Sequence, residues 1–219
     1  MFSSSLDSDT ILARIITLIV AVTVHEFAHA WSAYQLGDPT AARLGRITLN
    51  PVAHFDPIGF LGMMMIAMGW PAFGWGKPVP VNPNIIRGHK AGMAITAAAG
   101  PLSNVIMATL VVMPIRFGGV EPTGFGAVLV EQFIFVNLLL AAFNMIPIPP
   151  LDGSKILAGF LPNFWYPYLA RMEQYAFAAL LVLILFNRSF ASGGRDIIGT
   201  MYFPVFDFLR STIVGSTFF

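Results

Sequence analysis

The chain has 219 residues, of which 56% are hydrophobic and 11% are charged, and its formal net charge at pH 7 is +1. Because a soluble domain has about 25% charged residues, this composition, with a mean hydropathy of +0.73, indicates a membrane-embedded protein. The small net charge argues against nucleic acid as a partner. The absence of cysteine excludes disulfides, iron–sulfur clusters and thiolate zinc sites, so any metal must be held by His, Asp or Glu.

Several apolar segments follow one another along the chain and predict membrane helices. The N-terminus MFSSSLDSDT lacks the basic start of a signal peptide, so we expect the first segment to be retained as a helix. Candidate spans cover residues 11–36, 91–115, 124–147 and 174–187. The aromatic stretch NFWYPY at 163–168 resembles an interfacial belt and extends the fourth of these backwards. Residues 197–219, interrupted by Pro204, Asp207 and Arg210, either span or lie in the interface.

The segment IGFLGMMMIAMGW at 58–70 is short for a span and is followed by Pro71. It is either a re-entrant or buried element or a short tilted span that packs through its glycines. The predicted fold is therefore an all-α membrane protein, a polytopic bundle of about four to six transmembrane segments, with a re-entrant or β-hairpin-like element between the first and third apolar segments. One membrane domain covers residues 1–219, with a catalytic core at about 11–155 and C-terminal helices at about 164–219.

The motif HEFAH at residues 25–29 lies inside the first apolar segment. Histidines four residues apart share one face of a helix, about 5–6 Å apart at Cβ, so His25 and His29 can bind one zinc ion. Glu26, the next residue, lies near such an ion and can act as a general base toward water. The alternative is a pair of core histidines that share hydrogen bonds with a buried carboxylate. Ionisable residues at membrane depth are rare and usually functional, which favours the metal site.

A catalytic zinc site has three protein ligands, so a third residue is expected from elsewhere in the chain. The candidates are His54 in NPVAHFDP, His89 in RGHK and Asp152 in NMIPIPPLDG. Asp152 follows an apolar span, in a segment where Pro147, Pro149 and Pro150 prevent a regular helix. Irregular backbone at membrane depth is tolerated only where protein or water covers it, as in a site, although an ordinary helix end remains the alternative.

Three motifs in this order resemble the site-2 protease family of intramembrane zinc metalloproteases, peptidase family M50. They are HEFAH, AAAGPLSN at 97–104 and NMIPIPPLDG at 144–153. The stretches GDPTAARLGRITLNPVAHFDPIG and GWGKPVPVNP resemble a compact bacterial and archaeal branch. The likeness covers roughly residues 20–155. Many members of the family carry a PDZ domain between the second and third motifs, and some carry a CBS domain. We expect neither in this chain, and the loop at 117–124 is too short to hold an inserted domain.

The resemblance implies a role for each matching residue. His25, His29 and Asp152 would be ligands of one zinc ion per chain, and Glu26 would be the general base. Asn144, which opens the third motif, would hold the substrate or polarise the scissile carbonyl. The substrate would be a transmembrane protein in the lipid bilayer, cleaved within or near a membrane-spanning segment.

We also expect other residues to support the site or the loops around it. We expect Asn104 to hydrogen-bond between helices near the site, where Gly100 and Pro101 let backbones approach closely. We expect His54 to anchor a turn or support the site from outside the ligand set, although it could also bind or regulate zinc. His89 lies beside Arg87 and Lys90 and is expected to be a solvated loop residue.

The substrate backbone must be extended before it can be cut, and RLGRITLNP or KPVPVNP could offer a strand edge for it, unless both are plain loops. The family places the active site near the cytoplasmic face of the cell membrane. The first and fourth segments would then run inward and the third outward, so residues 57–76 would cross the membrane an even number of times or not at all. Seven basic residues would lie inside against five elsewhere, which agrees with the positive-inside rule.

Two other functions use the same motifs. A membrane metal-binding or transport protein would use His25, His29 and Asp152 but would leave Glu26 and Asn144 without a task. A non-catalytic scaffold for transmembrane segments would not need an intact metal site. The variant Glu26→Gln distinguishes the three functions, because only a protease loses its activity through it. The sequence specifies neither the substrate nor the oligomeric state.

Overall fold

The computed structural model describes residues 7–70, 72, 74–165, 171–172, 175–176, 178–184 and 196–215, which form helices and turns without a β-strand. The helices are α1 (Ser8–Gln35), α2 (Thr40–Arg43), α3 (Pro57–Ala67), α4 (Lys90–Gly118), α5 (Phe125–Asn144), α6 (Asp152–Phe160) and α7 (Ile197–Ile213). Short 3₁₀ turns occur at Pro51–His54 and Asn163–Trp165, and residues 178–184 are helical as well.

Within these residues α1, α4 and α5 are long and apolar enough to cross a membrane. They correspond to three of the predicted spans, and the chain is a multi-pass membrane protein with an all-helical fold. Local chemistry sets their ends. The Asp7 side chain accepts a hydrogen bond from the Thr10 amide at 2.8 Å and caps α1. Beyond the C-terminus of α1 the chain turns at Gly37, where φ is 91°.

The bundle has small residues inside and large apolar residues outside. The fully buried positions of the long helices include alanines of α1, α4 and α5, and small side chains let membrane helices approach closely. The exposed positions of α1 and α4 carry large aliphatic residues at helical spacing, namely Leu12, Ile16, Val20, Leu102, Ile106, Leu110 and Met113. Such a surface is suited to contact with lipid, because lipid tails are as apolar as the side chains that face them.

Two hydrogen-bonded contacts define the relative direction of the long helices. Early in α1, the Arg14 Nε donates to Gln132 Oε1 of α5 at 2.9 Å. Later in α1, His25 is linked through Asn104 of α4 to Asn137 of α5. Residue numbers therefore rise together in α1 and α5, and these two helices are parallel. In α4, Thr96 lies beside His29 and Asn104 beside His25, so α4 is antiparallel to both, as the predicted topology requires.

The segment between α2 and α4 runs away from the turn at His54 and then returns to it. Asp56 caps α3 by accepting hydrogen bonds from the amides of Ile58 and Gly59, and the chain turns at Gly69, where φ is 75°. The returning chain packs against α3 so tightly that a Cβ on Gly59 would lie 2.0 Å from the Trp75 carbonyl oxygen. The Lys77 amide then donates to the His54 carbonyl oxygen at 2.8 Å. This out-and-back path does not fit a single crossing and is the path expected of a re-entrant element.

The β-hairpin alternative is not formed in the described part of the chain. The stretch RLGRITLNP begins in α2 and continues as turns, and KPVPVNP forms no strand. Proline has no amide proton to donate to a ladder, and Pro78 and Pro80 occupy alternate positions of the second stretch. Both stretches therefore lie in the loops that the alternative interpretation predicted.

The C-terminal region packs on α5. Phe206 of α7 contacts Phe135, with ring centroids 5.6 Å apart. Helix α7 continues through Pro204 and ends at Ile213. The predicted segment 174–187 and the aromatic stretch 163–168 lie partly outside the described residues, as do the last residues of the segment 197–219.

Candidate metal centre

Three side chains predicted as metal ligands meet in the interior of the bundle. His25 and His29 lie one turn apart on α1, and their Nε2 atoms are 3.0 Å apart. The Asp152 Oδ2 lies 3.1 Å from the His25 Nε2 and 3.2 Å from the His29 Nε2. All three residues are buried. Atoms contributed 127 residues apart in the sequence thus form a triangle with nearly equal sides.

The loop before α6 positions Asp152. Pro147, Pro149 and Pro150 end α5 and keep the chain irregular until Leu151, and Asp152 is the first residue of α6. The next residue, Gly153, is pressed against this loop. A Cβ there would lie 2.3 Å from the Met145 carbonyl oxygen and 2.5 Å from that of Ile146. Only glycine fits at this approach, so packing requires the glycine of the LDG triplet.

Hydrogen bonds from outside the triangle fix the proton on each imidazole. The His29 Nδ1 lies 2.7 Å from the Thr96 carbonyl oxygen, and the His25 Nδ1 lies 2.6 Å from the Asn104 Oδ1. Both oxygens can only accept, so both Nδ1 atoms carry the proton. When both imidazoles are neutral, the two Nε2 atoms therefore present lone pairs toward a carboxylate.

The hydrogen bonds of Asn104 and Asn137 determine that the side-chain oxygen of Asn104, and not its nitrogen, faces His25. The Asn104 Nδ2 donates to the Asn137 Oδ1 at 2.9 Å and to the Ala21 carbonyl oxygen at 3.4 Å. The Asn137 Nδ2 donates in turn to the Phe133 carbonyl oxygen at 2.8 Å. Because each amide group faces an acceptor, the chain of bonds leaves the Asn104 Oδ1 for His25. Asn104 thus hydrogen-bonds to α1 and α5 beside the three converging side chains.

The geometry and chemistry of the triangle fit a metal ion. Two ligand atoms held about 2.0–2.1 Å from one zinc ion at the tetrahedral angle lie about 3.3 Å apart, close to the three separations found here. Two lone pairs and a carboxylate at such distances repel one another unless a proton or a metal cation lies between them. Two histidines and one carboxylate are a known ligand set for catalytic zinc, in which a fourth position stays open.

Gly100 of α4 closes one side of the triangle. A Cβ at this position would lie 2.4 Å from the His29 Nε2 and 2.6 Å from the His25 Nε2. Contacts under about 3 Å between such atoms are not sustained in folded proteins, so glycine is the residue that lets α4 pass over the ligand atoms. The sequence predicted that Gly100 allows close helix approach, and the structure shows that the neighbours are the imidazoles themselves.

Glu26 lies half-buried beside this centre, under residues 74–82, which we call the strap. Gly76 of the strap crosses α1 so closely that a Cβ there would lie 2.8 Å from the Val22 Cγ1 and 3.4 Å from the Glu26 Cγ. The carboxylate makes no hydrogen bond among the described residues. Its charge acts on the buried Arg46, whose guanidinium donates to the Lys77 carbonyl oxygen. Glu26 is thus held next to the ligands but is not one of the converging three.

The far end of the strap is tied to the loop after α1. The Asn82 amide donates to the Asp38 Oδ2 at 2.6 Å, and the Thr40 amide donates to the Asp38 Oδ1 at 2.9 Å. Burial alone would raise the pKa of Asp38, but these bonds and the Thr40 hydroxyl outweigh it, so the pKa lies below the ordinary value of 3.8. The ionised carboxylate therefore anchors the strap.

The other candidate residues lie outside the triangle. His54 is buried, and its Nε2 donates to the Thr48 carbonyl oxygen at 2.9 Å, so it lies in the turn that receives the strap. His89 is exposed, with its Nδ1 3.0 Å from the Pro83 carbonyl oxygen. Asn144 is the last residue of α5, and its Nδ2 donates to the Leu140 carbonyl oxygen at 3.0 Å; no hydrogen bond links it to the three converging side chains.

Sequence reasoning missed two contributors to the centre. Asn137 is fully buried within an apolar span, and a polar residue at such a position is a signal that could have identified it. Thr96 contributes through its backbone carbonyl, for which side-chain identity gives no signal.

A multi-pass bundle with an HExxH motif on one helix and a carboxylate brought to it from another defines a membrane metalloprotease. The family model of "Peptidase family M50" matches residues 120–187. The chain is 38% identical to "Putative zinc metalloprotease YwhC" of Bacillus subtilis (strain 168), over 78% of this chain and 79% of that protein. The chain belongs to peptidase family M50 and is a zinc metalloprotease, as the motifs predicted.

More distant relatives also carry the name zinc metalloprotease. "Putative zinc metalloprotease Rip2" of Mycobacterium tuberculosis (strain ATCC 25618 / H37Rv) is 31% identical over 76% of this chain and 64% of its own length. "Zinc metalloprotease MJ0392" of Methanocaldococcus jannaschii is 28% identical over 70% of this chain and 35% of its own length. No solved structure matches the chain.

Proposed function

We propose that this protein is an intramembrane zinc endopeptidase that hydrolyses peptide bonds in or near transmembrane segments of other membrane proteins, as in regulated intramembrane proteolysis. The observation that carries the proposal is the triangle formed by His25, His29 and Asp152. Its lone pairs converge inside a bundle whose outer surface is apolar. One zinc ion per chain is the cofactor, and a membrane-spanning protein in the bilayer is the substrate.

Each residue of the centre has a separate task. A zinc ion at the triangle would supply Lewis acidity toward water and toward the scissile carbonyl. Glu26 accepts a proton from the attacking water and returns it to the leaving amine, which accounts for its position beside the ligands but outside the triangle. Asn104 and the Thr96 carbonyl hold the imidazoles with their Nε2 lone pairs directed inward. His54 supports the site through the turn that receives the strap.

The substrate must offer an unwound backbone, because a helix hides its carbonyl groups in hydrogen bonds. The strap passes over Glu26 and can pair with such a segment. The backbones of Val79 and Val81 make no hydrogen bond among the described residues, and one added strand would satisfy them. Asn144 at the end of α5 holds the substrate backbone or polarises its carbonyl.

We infer that the centre lies near the cytoplasmic face of the cell membrane. The helix ends and loops on its side of the bundle carry many basic residues, namely Arg43, Arg46, Lys77, Arg87, Lys90 and Lys155. Such an excess favours the cytoplasmic side. Since α1 and α5 are parallel, both run inward, and α4 runs outward.

Cleavage by the purified protein tests the proposal. Wild type, Glu26→Gln and the exposed control Glu121→Gln are incubated in bicelles with transmembrane peptides, and product masses locate the cut. We expect Glu26→Gln to bind zinc but to lose about 10²- to 10⁴-fold in kcat, the usual contribution of a general base. Glu121→Gln should match wild type, and a chelator should stop cleavage until zinc is restored.

The same variants exclude the rival functions. A metal transporter would move zinc across proteoliposomes with Glu26→Gln as well as with wild type, and a scaffold would bind peptides without cutting them. Among the described residues, His25, His29 and Asp152 are the one group able to hold a metal, whereas a pathway needs several. Cleavage that persists after complete metal removal would refute the proposed mechanism.

A further inference from the structure

A cavity of about 330 Å³ lies between α1, α3, α5 and α7. Its walls are mainly apolar and include Leu18, Ile66, Leu139 and Leu140. Its volume falls within the range of about 300–1,000 Å³ that is usual for ligand sites. A lipid-exposed bundle gains packing energy by closing such spaces, so an open one of this size calls for an occupant.

The cavity extends from the membrane interior toward the metal centre. Arg14 lies at one end, level with Gln132 of α5. Phe143 lines the cavity toward the other end, since it packs against the cluster around Ile146 and Leu151 that immediately precedes Asp152. Tyr202 packs against this cluster and against the one around Ile134 and Leu138, so it lies between the two ends. The long axis of the cavity therefore follows α5 up to the helix end that carries Asn144.

The strap connects the cavity with Glu26. Ala72 and Gly74 form part of the cavity wall, and Gly76, at most about 7 Å further along the chain, lies against the Glu26 side chain. A chain that enters the cavity beside Gly74 therefore passes Glu26 next. Beyond Glu26 it reaches the backbone of Val79 and Val81, which makes no hydrogen bond with the part of the chain that the structure describes.

The dimensions define how much of a chain the cavity holds. Phe135 and Phe143, both in its wall, are eight residues apart on α5, a rise of about 12 Å. An extended peptide advances about 3.3 Å per residue, so three to four residues fill this length. The walls are mainly apolar, although Arg14 and Asp196 also line the cavity, and they therefore favour apolar side chains on that segment.

We propose that this cavity binds three to four apolar residues of the substrate's transmembrane segment, on the side of the scissile bond that faces the membrane core. The inference rests on the proposed function and adds a specificity site to it. The half of the substrate near the membrane surface then lies along Val79 and Val81, and the scissile bond lies over Glu26. Substrates are selected by apolar residues on one side of the cut only.

Disulfide trapping tests binding without requiring cleavage. The chain has no cysteine, so Leu140→Cys in the cavity and Ile106→Cys on the exposed face of α4 are each the sole thiol. Both are placed in the Glu26→Gln background and oxidised with leucine-rich transmembrane peptides of about 20 residues, each with one cysteine at a different position. We expect Leu140→Cys to trap a block of three to four neighbouring positions at least tenfold more efficiently than Ile106→Cys.

Equal trapping by the two thiols, or trapping without a preferred block, would overturn the inference. A photoactivatable phospholipid gives the second measurement. Labelling of the Leu140 region by that lipid should fall when excess peptide is added. Labelling that is unchanged by peptide would identify the occupant as an acyl chain and would also overturn it.

Filling the cavity gives a kinetic test. Leu140→Trp should raise KM about tenfold for peptides with leucine or phenylalanine on the membrane-core side, with kcat and zinc content unchanged. Leu110→Trp, on the exposed face of α4, should change neither constant. If Leu140→Trp does not fold, Leu140→Ala replaces it and should weaken binding of the same peptides. An unaffected KM contradicts the cavity as a substrate site.

The outcomes for the two proposals are distinguishable. Trapping in the cavity without cleavage of any peptide by wild type would refute the proposed protease function, but it would support the cavity as a binding site for transmembrane peptides. Cleavage by wild type without trapping in the cavity would refute the binding site and leave the protease.

Discussion

The variant Gly100→Ala tests the construction of the metal centre most directly. The added methyl group would lie 2.4 Å from the His29 Nε2 and 2.6 Å from the His25 Nε2, whereas an unstrained contact needs about 3.4 Å or more. One imidazole or the α4 backbone must therefore move by about 1 Å. Zinc ligand distances tolerate only about 0.2 Å, so the triangle cannot keep its shape.

The expected cost follows from this displacement. Forcing a methyl group into a well-packed site costs about 1–3 kcal/mol, which corresponds to a loss of about 5- to 150-fold in zinc affinity when the strain falls on the ligands. The helical content of α4 should not fall, since alanine is favoured over glycine within a helix by about 1 kcal/mol. A loss of zinc affinity without loss of helix content is therefore expected.

Competition with a chromophoric chelator measures the zinc affinity, and the visible spectrum of the Co²⁺-substituted protein reports tetrahedral coordination. Gly126→Ala is the matched control, because a Cβ on Gly126 of α5 meets nothing within 4 Å. That variant should bind zinc as wild type does. Unchanged zinc affinity and an unchanged cobalt spectrum in Gly100→Ala would refute the assignment of the ligand atoms.

Three other predictions concern the groups around the centre. Asn104→Ala should lower zinc affinity about 10- to 100-fold by freeing the His25 ring, and Asn137→Ala should have a smaller effect that does not add to it, measured by the same chelator competition; additive losses would contradict the hydrogen-bond chain. Gly153→Ala should abolish stoichiometric zinc, measured by elemental analysis, because its Cβ would lie 2.3 Å from the Met145 carbonyl oxygen and would displace Asp152. Asp38→Asn should lower Tm in detergent at pH 7, where the exposed control Asp9→Asn should not. The folded-state pKa of Asp38 lies below its ordinary value of 3.8, so its contribution is complete above that value and is lost as pH falls through the folded-state pKa. The difference in Tm from wild type should therefore shrink below about pH 4, and a constant difference would show that the charge of Asp38 is not what stabilises the strap.

The order of the helices could be read from the sequence because lipid imposes strong local rules. A membrane helix must satisfy its own backbone hydrogen bonds and must present about 20 mainly apolar residues, so α1, α4 and α5 appear as long, mainly apolar runs. The HExxH spacing needs only the helical repeat to place His25 and His29 on one face. These features depend on residues within one segment.

The closure of the site depended on tertiary structure. The sequence offered His54, His89 and Asp152 as possible third ligands, and only the packing of α6 against α4 brings the Asp152 Oδ2 within 3.2 Å of the two imidazoles of α1. The hydrogen bonds of Asn137 and of the Thr96 carbonyl join different helices. The contact of Gly100 with the imidazole nitrogens likewise joins α4 to α1. The sequence by itself determined which groups the chain possesses and the helices that carry them. Their distances were decided by interhelical packing, because the small residues that set the approach of two helices lie far apart along the chain.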